Sequence, residues 1–303
     1  MSRALLITGA TGKQGGSVIS SLLARNADFK ILAVTRNSSS PAAQRLAAKS
    51  TRISLVQGDL NDTESIFEAA KKATSTPIWG IFSVQLPAMN KKGPIIEEAQ
   101  GKALVDSALN HGVKHFVYSS VDRHGAQSIN NQTKIPHFAS KHRVEYHLID
   151  KTKKSDMSWT ILRPVAFMEN FQPGFVGKVF ATAWRDTVKS RGLQLVSTED
   201  IGAFAALSFL DPERFAAQSI SLAGDELTYE QLVEAFKKTT GGPPPVTFSL
   251  VSKLVLWLSE EMGTMFEFFE KEGYDADIPA LRKMYPELKD LGAWLESSSF
   301  AKT

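Results

Sequence analysis

The sequence predicts an α/β protein in which a doubly wound parallel sheet is joined by a smaller, mostly helical C-terminal lobe. Short apolar runs rich in Ile, Val and Phe alternate with amphipathic helical segments along the first half of the chain. Strands without polar alternation are typical of a parallel sheet that is covered on both faces. Right-handed crossovers between such strands place helices on both sides of the sheet, which is the Rossmann arrangement.

The apolar runs define six strands and two of the helices between them. Strands are expected over 4–8, 31–35, 53–56, 78–84, 115–119 and 159–162, and one-sided helices over 17–23 and 99–109. Later runs at 193–196 and 219–223 are expected to return to the same sheet. The predicted Rossmann domain therefore covers 1–165 and is completed by 193–224, while 166–192 and 225–303 form the smaller lobe.

Three glycines at three-residue spacing follow the first strand directly and precede a helix. Glycine lets the backbone approach a pyrophosphate closely, and the N-terminus of a helix favours a bound anion. The alternative is an ordinary strand-to-helix loop, because the spacing departs from the G-x-G-x-x-G pattern. The order of strand, turn and helix favours a dinucleotide site. Its expected contacts are Gly9, Thr11, Gly12, Lys13, Gln14 and Gly15.

The residue after the second strand indicates which dinucleotide is bound. An acidic residue here accepts from the ribose 2′-hydroxyl of NAD, whereas Arg36 suits the 2′-phosphate of NADP. Asp28 lies at the sequence distance usual for the NAD carboxylate, but it precedes the strand, about 20 Å from the cofactor end. The sequence therefore predicts NADP(H), held by Arg36 with Asn37 beside it. The alternative for Arg36 is a solvated loop charge.

The residues after the third and fourth strands lie at the same edge of the predicted sheet, where the cofactor is expected. Asp59, with Leu60 beside it, either accepts from the adenine amino group or caps the helix that starts near Asp62. Val84 and Gln85 are expected to pass the nicotinamide ribose, and the alternative is an ordinary connection.

Composition excludes several classes of function. The chain has no cysteine, so disulfides, thiolate catalysis and cysteine metal sites are excluded. Its 35 basic and 32 acidic residues are scattered, which argues against direct nucleic-acid binding. The six histidines form no zinc-hydrolase motif, so no metal is expected. Because no apolar stretch reaches about 18 residues, no membrane span is expected. We expect a cytoplasmic protein that can also be nuclear.

A serine pair, Ser119 and Ser120, follows the fifth strand, and a helix carrying Lys141 comes after the next loop. With the glycine turn, Arg36 and Gly58-Asp59, these residues resemble the atypical branch of the short-chain dehydrogenase/reductase superfamily. The chain is similar more closely to the NmrA-like family. That similarity rests on Ser140-Lys141-His142-Arg143-Val144-Glu145, Arg163-Pro164, Glu169-Asn170, Glu199-Asp200-Ile201-Gly202 and Glu272-Gly273-Tyr274.

The resemblance implies roles for several residues and includes one departure. Superfamily members use Tyr-x-x-x-Lys, in which the tyrosine is the general acid/base and the lysine holds the nicotinamide ribose. In this chain His137 stands four residues before Lys141, so the tyrosine is missing. Lys141 is therefore expected to bind the cofactor, and to be catalytic only if the protein is an enzyme. The resemblance also places Phe167 and Asn170 against the nicotinamide half of the cofactor.

Several residues have two interpretations. His137 either replaces the tyrosine as a proton carrier or faces solvent at the start of its helix, and the second is favoured. Ser119 and Ser120 either orient a carbonyl or close the strand with local hydrogen bonds, and the second is again favoured. Tyr285-x-x-x-Lys289 is interpreted as an accidental match because Pro286 interrupts it. The aromatic stretch 254–269 is expected to be mainly core rather than binding surface.

Two functions fit these residues. Members of the NmrA-like family are known as redox-linked transcriptional regulators, so the resemblance favours an NADP(H)-binding redox sensor that acts through a protein partner such as a transcription factor. The alternative is an NADPH-dependent reductase of a small carbonyl, enone or quinone. In that case Lys141 is the proton donor, as resemblance to isoflavone-reductase-like proteins suggests, and a small hydrophobic substrate occupies the second lobe. The sequence does not determine the oligomeric state.

Overall fold

The apolar runs of the first half form the strands of one parallel sheet. The computed structural model describes residues 3–86, 92–189 and 191–301. Its first elements are β1 (Arg3–Ile7), α1 (Lys13–Ala24), β2 (Phe29–Thr35), α2 (Pro41–Ala47), β3 (Ile53–Gln57), α3 (Thr63–Ala73), β4 (Ile78–Ser83), α4 (Gly93–Asn110), β5 (His115–Ser119), α5 (Pro136–Thr152) and β6 (Ser158–Pro164). The six expected strands are thus present, with ends that differ by at most two residues.

The second half begins with two short elements and becomes mostly helical. In order it contains β7 (Ala166–Phe167), α6 (Phe175–Thr187), β8 (Leu193–Val196), α7 (Thr198–Leu210), α8 (Pro212–Phe215), β9 (Gln218–Leu222), β10 (Asp225–Leu227), α9 (Tyr229–Thr240), α10 (Ser249–Leu258), α11 (Glu260–Lys271), α12 (Ile278–Met284) and α13 (Leu291–Ser297). Single 3₁₀ turns cover Gly125–Ile129 and Met168–Phe171.

The seven-stranded sheet has the order β3-β2-β1-β4-β5-β6-β9. The pairs from β3 through β6 are all parallel, as the unbroken apolar runs predicted. The fold is a Rossmann-like α/β fold, in which helices flank the parallel sheet. Apolar side chains of β1, β4 and β5 pack with α3, α4 and α5 in one continuous core.

Contacts within the chain define two compact units. The first contains Met1–Ser120, Ala139–Arg163 and Ile201–Ile220, and the second contains Val121–Phe138, Pro164–Asp200 and Ser221–Thr303. The second unit has its own core, in which the aromatic residues of α6 and α11 pack together. This division differs from the predicted boundaries mainly at 121–138 and 193–200, which lie in the second unit.

The expectation that 193–196 returns to the main sheet is wrong. β8 instead forms the centre of a three-stranded sheet with the order β10-β8-β7. It pairs in parallel with β7 and antiparallel with β10. An apolar run of four residues indicates a buried strand but carries no information about its partner, because pairing is decided by distant segments.

The aromatic stretch of the second lobe divides into a buried and an exposed part. Phe266, Phe268 and Phe269 of α11 are buried, as expected for core residues. Trp257 and Leu258 at the end of α10 are 78% and 69% exposed, so the core interpretation is wrong for this helix. Helical spacing places apolar residues on one face but does not say what covers that face.

Two buried titratable groups make opposite contributions to stability across mildly acidic pH. Burial raises the pKa of Asp200 to about 6, although its carboxylate accepts a hydrogen bond from Ser197 Oγ at 2.7 Å. Burial lowers the pKa of His115 to about 4, where the imidazole lies between the rings of Trp79 and Phe209.

The sign of each contribution follows from which state holds the proton. Between pH 3.8 and about 6 the folded protein keeps the Asp200 proton that the unfolded chain has lost, so the free energy of unfolding falls with pH. Between about pH 4 and 6.5 the unfolded chain holds the His115 proton that the folded protein has lost, so the free energy rises. Each contribution is about 3 kcal/mol in size.

We therefore expect the unfolding free energy of Asp200→Asn to rise more steeply between pH 4 and 6 than that of the unsubstituted protein, because the opposing Asp200 contribution is removed. His115→Gln is the opposite control, and its unfolding free energy is expected to rise less steeply across this range than that of the unsubstituted protein. Urea unfolding at several pH values measures both slopes. Slopes equal to that of the unsubstituted protein in both variants would contradict these assignments.

Candidate functional site

The strand order reverses between β1 and β4, where the connections on the two sides run in opposite directions. Ligands of open α/β sheets bind in the crevice that such a reversal opens at the carboxyl ends of the strands. Thr8 connects the two strand ends here. Its hydroxyl accepts the Val84 N–H at 2.8 Å and lies 3.0 to 3.1 Å from the carbonyl oxygens of Val84 and Phe82.

The glycine turn follows Thr8 and is too tight for side chains at two of its positions. Gly9 has a φ of +57°, and a Cβ there would lie 2.8 Å from Val84 Cγ1. A Cβ on Gly15 would lie 2.4 Å from the carbonyl oxygen of Gly9, a distance that side chains do not adopt. The turn is closed by a hydrogen bond from Gly12 N–H to Gly9 O at 2.9 Å. These contacts place the start of α1 directly beside the end of β1.

The first turn of α1 is not capped by a side chain. Gly12 is the N-cap residue and makes no side-chain capping bond, and Thr11, Gly12 and Lys13 are exposed. The first N–H groups of a helix lack partners within the helix, and the helix dipole favours an anion beside them. The predicted contacts Gly9 to Gly15 are therefore brought together in a cradle whose shape and donors fit a pyrophosphate.

Gln14 is hydrogen-bonded to the last residue of β5. Ser119 Oγ donates a hydrogen bond to Gln14 Oε1 at 2.5 Å, across 105 positions of sequence. The expectation that Ser119 only closes its strand with local bonds is therefore wrong. Its hydroxyl instead joins the glycine turn to the strand that precedes the loop leading to α5.

Arg36 and Asn37 lie after β2, at the same edge of the sheet, and both are exposed. Asn37 Oδ1 accepts the Ser39 N–H at 2.9 Å, which shapes the turn. Ser38 is fixed to the end of β3 by two hydrogen bonds to Gln57 Oε1. Within the part of the chain that the structure describes, the Arg36 guanidinium has no ion-pair or hydrogen-bond partner. Asp28 precedes β2 at the opposite end, as predicted.

Asp59 shapes the loop after β3 but does not cap the next helix. Its carboxylate accepts the Asn61 N–H at 2.8 Å, whereas Asp62 caps α3 by accepting the Ser65 N–H at 3.1 Å. The capping interpretation of Asp59 is therefore wrong, because the acidic residue three positions later takes that role. Leu60 packs partly against the core of the first unit. The contact of Asp59 with adenine stays a prediction.

Gln85 carries a buried acceptor at the end of β4. The residue is 2% exposed, and its amide N–H donates to Ser83 Oγ at 2.9 Å. Among the described residues, its Oε1 atom has no hydrogen-bond partner. A buried acceptor without a partner is unfavourable by about 1–3 kcal/mol. This atom faces α4, since a Cβ built on Gly101 would lie 3.5 Å from it. Val84, beside Gly9, forms the wall of the turn.

Lys141 is held by a buried carboxylate, Glu97, which was not among the predicted site residues. Its Nζ lies 2.9 Å from Glu97 Oε1, in an ion pair whose side chains are 11% and 0% exposed. Ser140 Oγ donates to the other oxygen of Glu97 at 2.8 Å, and Lys141 Nζ lies 3.4 Å from the carbonyl oxygen of Ser119. These contacts fix the ammonium group near the end of β5.

Glu97 had a detectable signal in the sequence. Glu97, Gly101, Leu104 and Ala108 recur at helical spacing on α4, and all four are buried. An acidic residue within such an otherwise apolar stripe requires a buried partner of opposite charge. The position of α4 against α5, which supplies Lys141, was needed to name that partner.

The hydroxyl of Ser120 is hydrogen-bonded to a second buried ion pair. Arg163 donates to both carboxylate oxygens of Glu145, at 2.7 and 3.2 Å, and the Ser120 hydroxyl donates to the same carboxylate. The expectation that Ser120 only closes its strand with local hydrogen bonds is therefore wrong as well. Both serines of the pair form long-range bonds within the first unit.

His137 does not face solvent, contrary to expectation. Its Nδ1 lies 2.5 Å from Glu261 Oε1, and both side chains are only about one-fifth exposed, at 19% and 20%. This hydrogen bond lowers the pKa of Glu261. Tyr285 follows the last residue of α12, so it does not share a helical turn with Lys289, in agreement with an accidental motif.

Phe167 and Asn170 lie in the second unit. Phe167 pairs with Val196 at the end of β7, and Asn170 is part of the adjoining 3₁₀ turn. Their contact with the nicotinamide half of a cofactor stays a prediction. An apolar cavity of about 210 Å³ between α6, α10 and α11 is smaller than the ~300 Å³ at which ligand pockets begin.

The described residues, 3–86, 92–189 and 191–301, contain neither a metal site nor a membrane-spanning helix. No group of three His, Asp or Glu residues in these ranges is placed to hold a metal ion. Among the same residues, no helix has the length and apolar character needed to cross a bilayer.

The reversed strand order and the glycine turn define a Rossmann-like α/β protein. The chain belongs to the NmrA-like family, whose model matches residues 1–295. It is 31% identical over 258 residues to an NmrA-like family domain-containing oxidoreductase of Aspergillus hancockii, covering 79% of this chain and 73% of the relative.

Two kinds of solved structure have the same fold. The triphenylmethane reductase of Citrobacter sp., solved with NADP(H), has a TM-score of 0.73 and 19% identity, covering 97% of this chain and 99% of the other. NmrA, a negative transcriptional regulator solved in complex with NADP, has a TM-score of 0.68 and 16% identity, covering 97% and 94%. The fold is therefore shared by a reductase and a regulator.

We expect Glu97 and Lys141 to be strongly coupled in stability. Removing one partner of a buried ion pair typically lowers the free energy of unfolding by about 3–5 kcal/mol, because the other charge stays buried alone. The double variant Glu97→Ala/Lys141→Ala is expected to lose at least ~2 kcal/mol less than the sum of the single variants. Urea unfolding measures this cycle. The exposed pair of Glu68 and Lys71 is a matched control and is expected to show no measurable coupling. Additive losses at Glu97 and Lys141 would contradict the pairing.

Proposed function

We propose that the protein binds NADP(H) at the glycine turn and acts as a redox sensor that reports the state of the nucleotide through a protein partner, such as a transcription factor. The observation that carries this proposal is the combination of a complete cradle with a lysine held by Glu97 and without a tyrosine at position 137. Such a site retains the means to hold the cofactor but lacks the usual acid/base of the superfamily.

Each part of the nucleotide has a matching group in the first unit. The uncapped N–H groups of α1 suit the pyrophosphate, and the exposed guanidinium of Arg36 suits the 2′-phosphate. Asp59 is the acceptor for the adenine amino group. Val84 and Gln85 follow β4 beside the nicotinamide ribose, and Lys141 donates to that ribose.

Sensing requires that the oxidised and reduced cofactor, or the bound and free protein, favour different conformations. A partner that recognises one conformation then binds in proportion to the population of that form. The likeness to NmrA supports the shared fold, and the name of that protein as a negative transcriptional regulator supports the regulatory proposal.

A second candidate function is an NADPH-dependent reductase, which the name of the 31% identical relative as an oxidoreductase favours. The bound cofactor would supply a hydride to a small carbonyl, enone or quinone. The Lys141 ammonium would then give its proton to the oxygen that becomes negative. Glu97 would keep the ammonium in position, so Glu97 is a positioning residue in this reading rather than a catalytic one.

Arg36→Asp is expected to weaken NADP binding on the order of 100-fold and to leave NAD binding nearly unchanged. Two charge-assisted hydrogen bonds of about 1.5 kcal/mol each account for this factor. Titration calorimetry with NADP⁺, NADPH, NAD⁺ and NADH measures it. Arg45→Asp, in the last turn of α2, changes the net charge equally and serves as a control with little effect. Equal losses for both dinucleotides would show that Arg36 does not contact the 2′-phosphate.

Incubation with NADPH and a panel of quinones, enones and aldehydes separates the two functions. The sensor proposal predicts no turnover above the background reaction, measured by the loss of NADPH absorbance. Turnover that Lys141→Ala removes, while the variant stays folded, would establish the reductase instead. His137→Ala is the control for a proton carried by the imidazole, and it is expected to change nothing in either case.

A further inference from the structure

The face of α10 that points away from its own unit is apolar and uncovered. Leu250, Leu254, Trp257 and Leu258 recur at helical spacing, so they lie on one side of the helix. They are 79%, 52%, 78% and 69% exposed, and Phe248 just before the helix is 81% exposed. We call these five residues the α10 stripe.

The α10 stripe is larger than the apolar patch of an ordinary monomer. Its exposed fractions correspond to roughly 700 Å² of surface, whereas the largest patch on a typical monomer is about 300–600 Å². Each partner of a standard protein interface contributes about 800 Å². The stripe alone therefore provides most of one side of a stable interface.

Helix α10 is fixed by contacts on the side opposite the α10 stripe. On the opposite side of α10, Ser252 is 1% exposed, and the helix packs against α6 and α11. Arg185 donates to Ser249 Oγ at 2.8 Å, and Thr247 N–H donates to Thr182 Oγ1 at 2.8 Å. The stripe is thus presented on a fixed helix, so little ordering accompanies association.

We propose that the α10 stripe is the interface of a two-fold symmetric homodimer, in which α10 packs antiparallel against the same helix of a second copy. A two-fold axis near Leu254 places Leu250 opposite the partner's Trp257 and the partner's Leu258. Each apolar side chain then meets another across the interface, as an interface made of one repeated surface requires. Trp257 supplies the aromatic anchor that dominates the energy of such interfaces.

The charges beside the stripe favour a second copy over other occupants. Lys253 and Glu260 flank it, and within the described part of the chain neither is in a salt bridge. In the antiparallel arrangement the long Lys253 side chain extends toward the partner's Glu260, and symmetry makes this contact twice. A membrane surface would favour an excess of basic residues beside the apolar face, whereas these two charges cancel.

Sedimentation velocity over a range of protein concentrations tests the dimer. We expect Trp257→Glu to weaken self-association at least about 100-fold, because the aromatic anchor is lost from both copies. Leu210→Glu is the matched control, because Leu210 is a leucine of α7 that is 43% exposed. This variant is expected to leave self-association unchanged. NADP binding is expected to be unchanged in both variants, which separates this test from that of the proposed function.

Exchange of the flanking charges tests the orientation of the helices. Lys253→Glu and Glu260→Lys are each expected to weaken the dimer, because like charges then face each other. An equal mixture of the two variants is expected to restore dimers, since each altered residue meets its complement on the other copy. Because the chain has no cysteine, Leu254→Cys is also expected to form one intermolecular disulfide on oxidation.

Three results would overturn the dimer. One is a protein that stays monomeric at all concentrations, and another is a dimer that Trp257→Glu leaves intact. The third is a monomer that binds anionic lipid vesicles through Trp257, which would assign the stripe to a membrane surface. A dimer without rescue in the charge-exchange mixture would overturn the antiparallel arrangement.

Discussion

The close approach of Gly15 to the carbonyl of Gly9 is the constraint on which the candidate site depends. A Cβ at Gly15 would lie 2.4 Å from that oxygen, so only glycine allows α1 to start directly at the end of β1. This approach directs the uncapped first turn of α1 into the crevice where the strand order reverses. Thr8 then fixes the far wall of the crevice by joining the ends of β1 and β4.

Two buried carboxylates, on the helices α4 and α5 that pack against the sheet, hold the remaining charged side chains of the site in place. Glu97 on α4 holds Lys141, and Glu145 on α5 holds Arg163 together with Ser120. A buried charge is tolerated only when a partner of opposite sign and additional hydrogen bonds compensate for the lost water. Both pairs meet this condition, and they explain why a lysine and a serine near the end of β5 have defined positions.

The sequence was sufficient for features that are encoded locally. Apolar runs marked the strands, and the glycines with Arg36 marked the edge of the sheet where the cradle lies, because each signal belongs to a few neighbouring residues. It was insufficient where distant segments decide the outcome. The partners of β8, the ion pair of Glu97 with Lys141, and the exposure of α10 all depend on which surfaces meet in three dimensions.

Arg36 is exposed and takes no part in the apolar core of its unit. A side chain that does not pack in the core can be substituted during evolution without a loss of folding stability. Gly9 and Gly15 of the neighbouring turn cannot be substituted in this way. Preference for a phosphorylated or an unphosphorylated ribose is therefore expected to drift readily between relatives that keep the same turn. If Arg36 contacts the 2′-phosphate as proposed, coenzyme choice and folding stability depend on separate residues of this chain, so one can be re-engineered while the other is left intact.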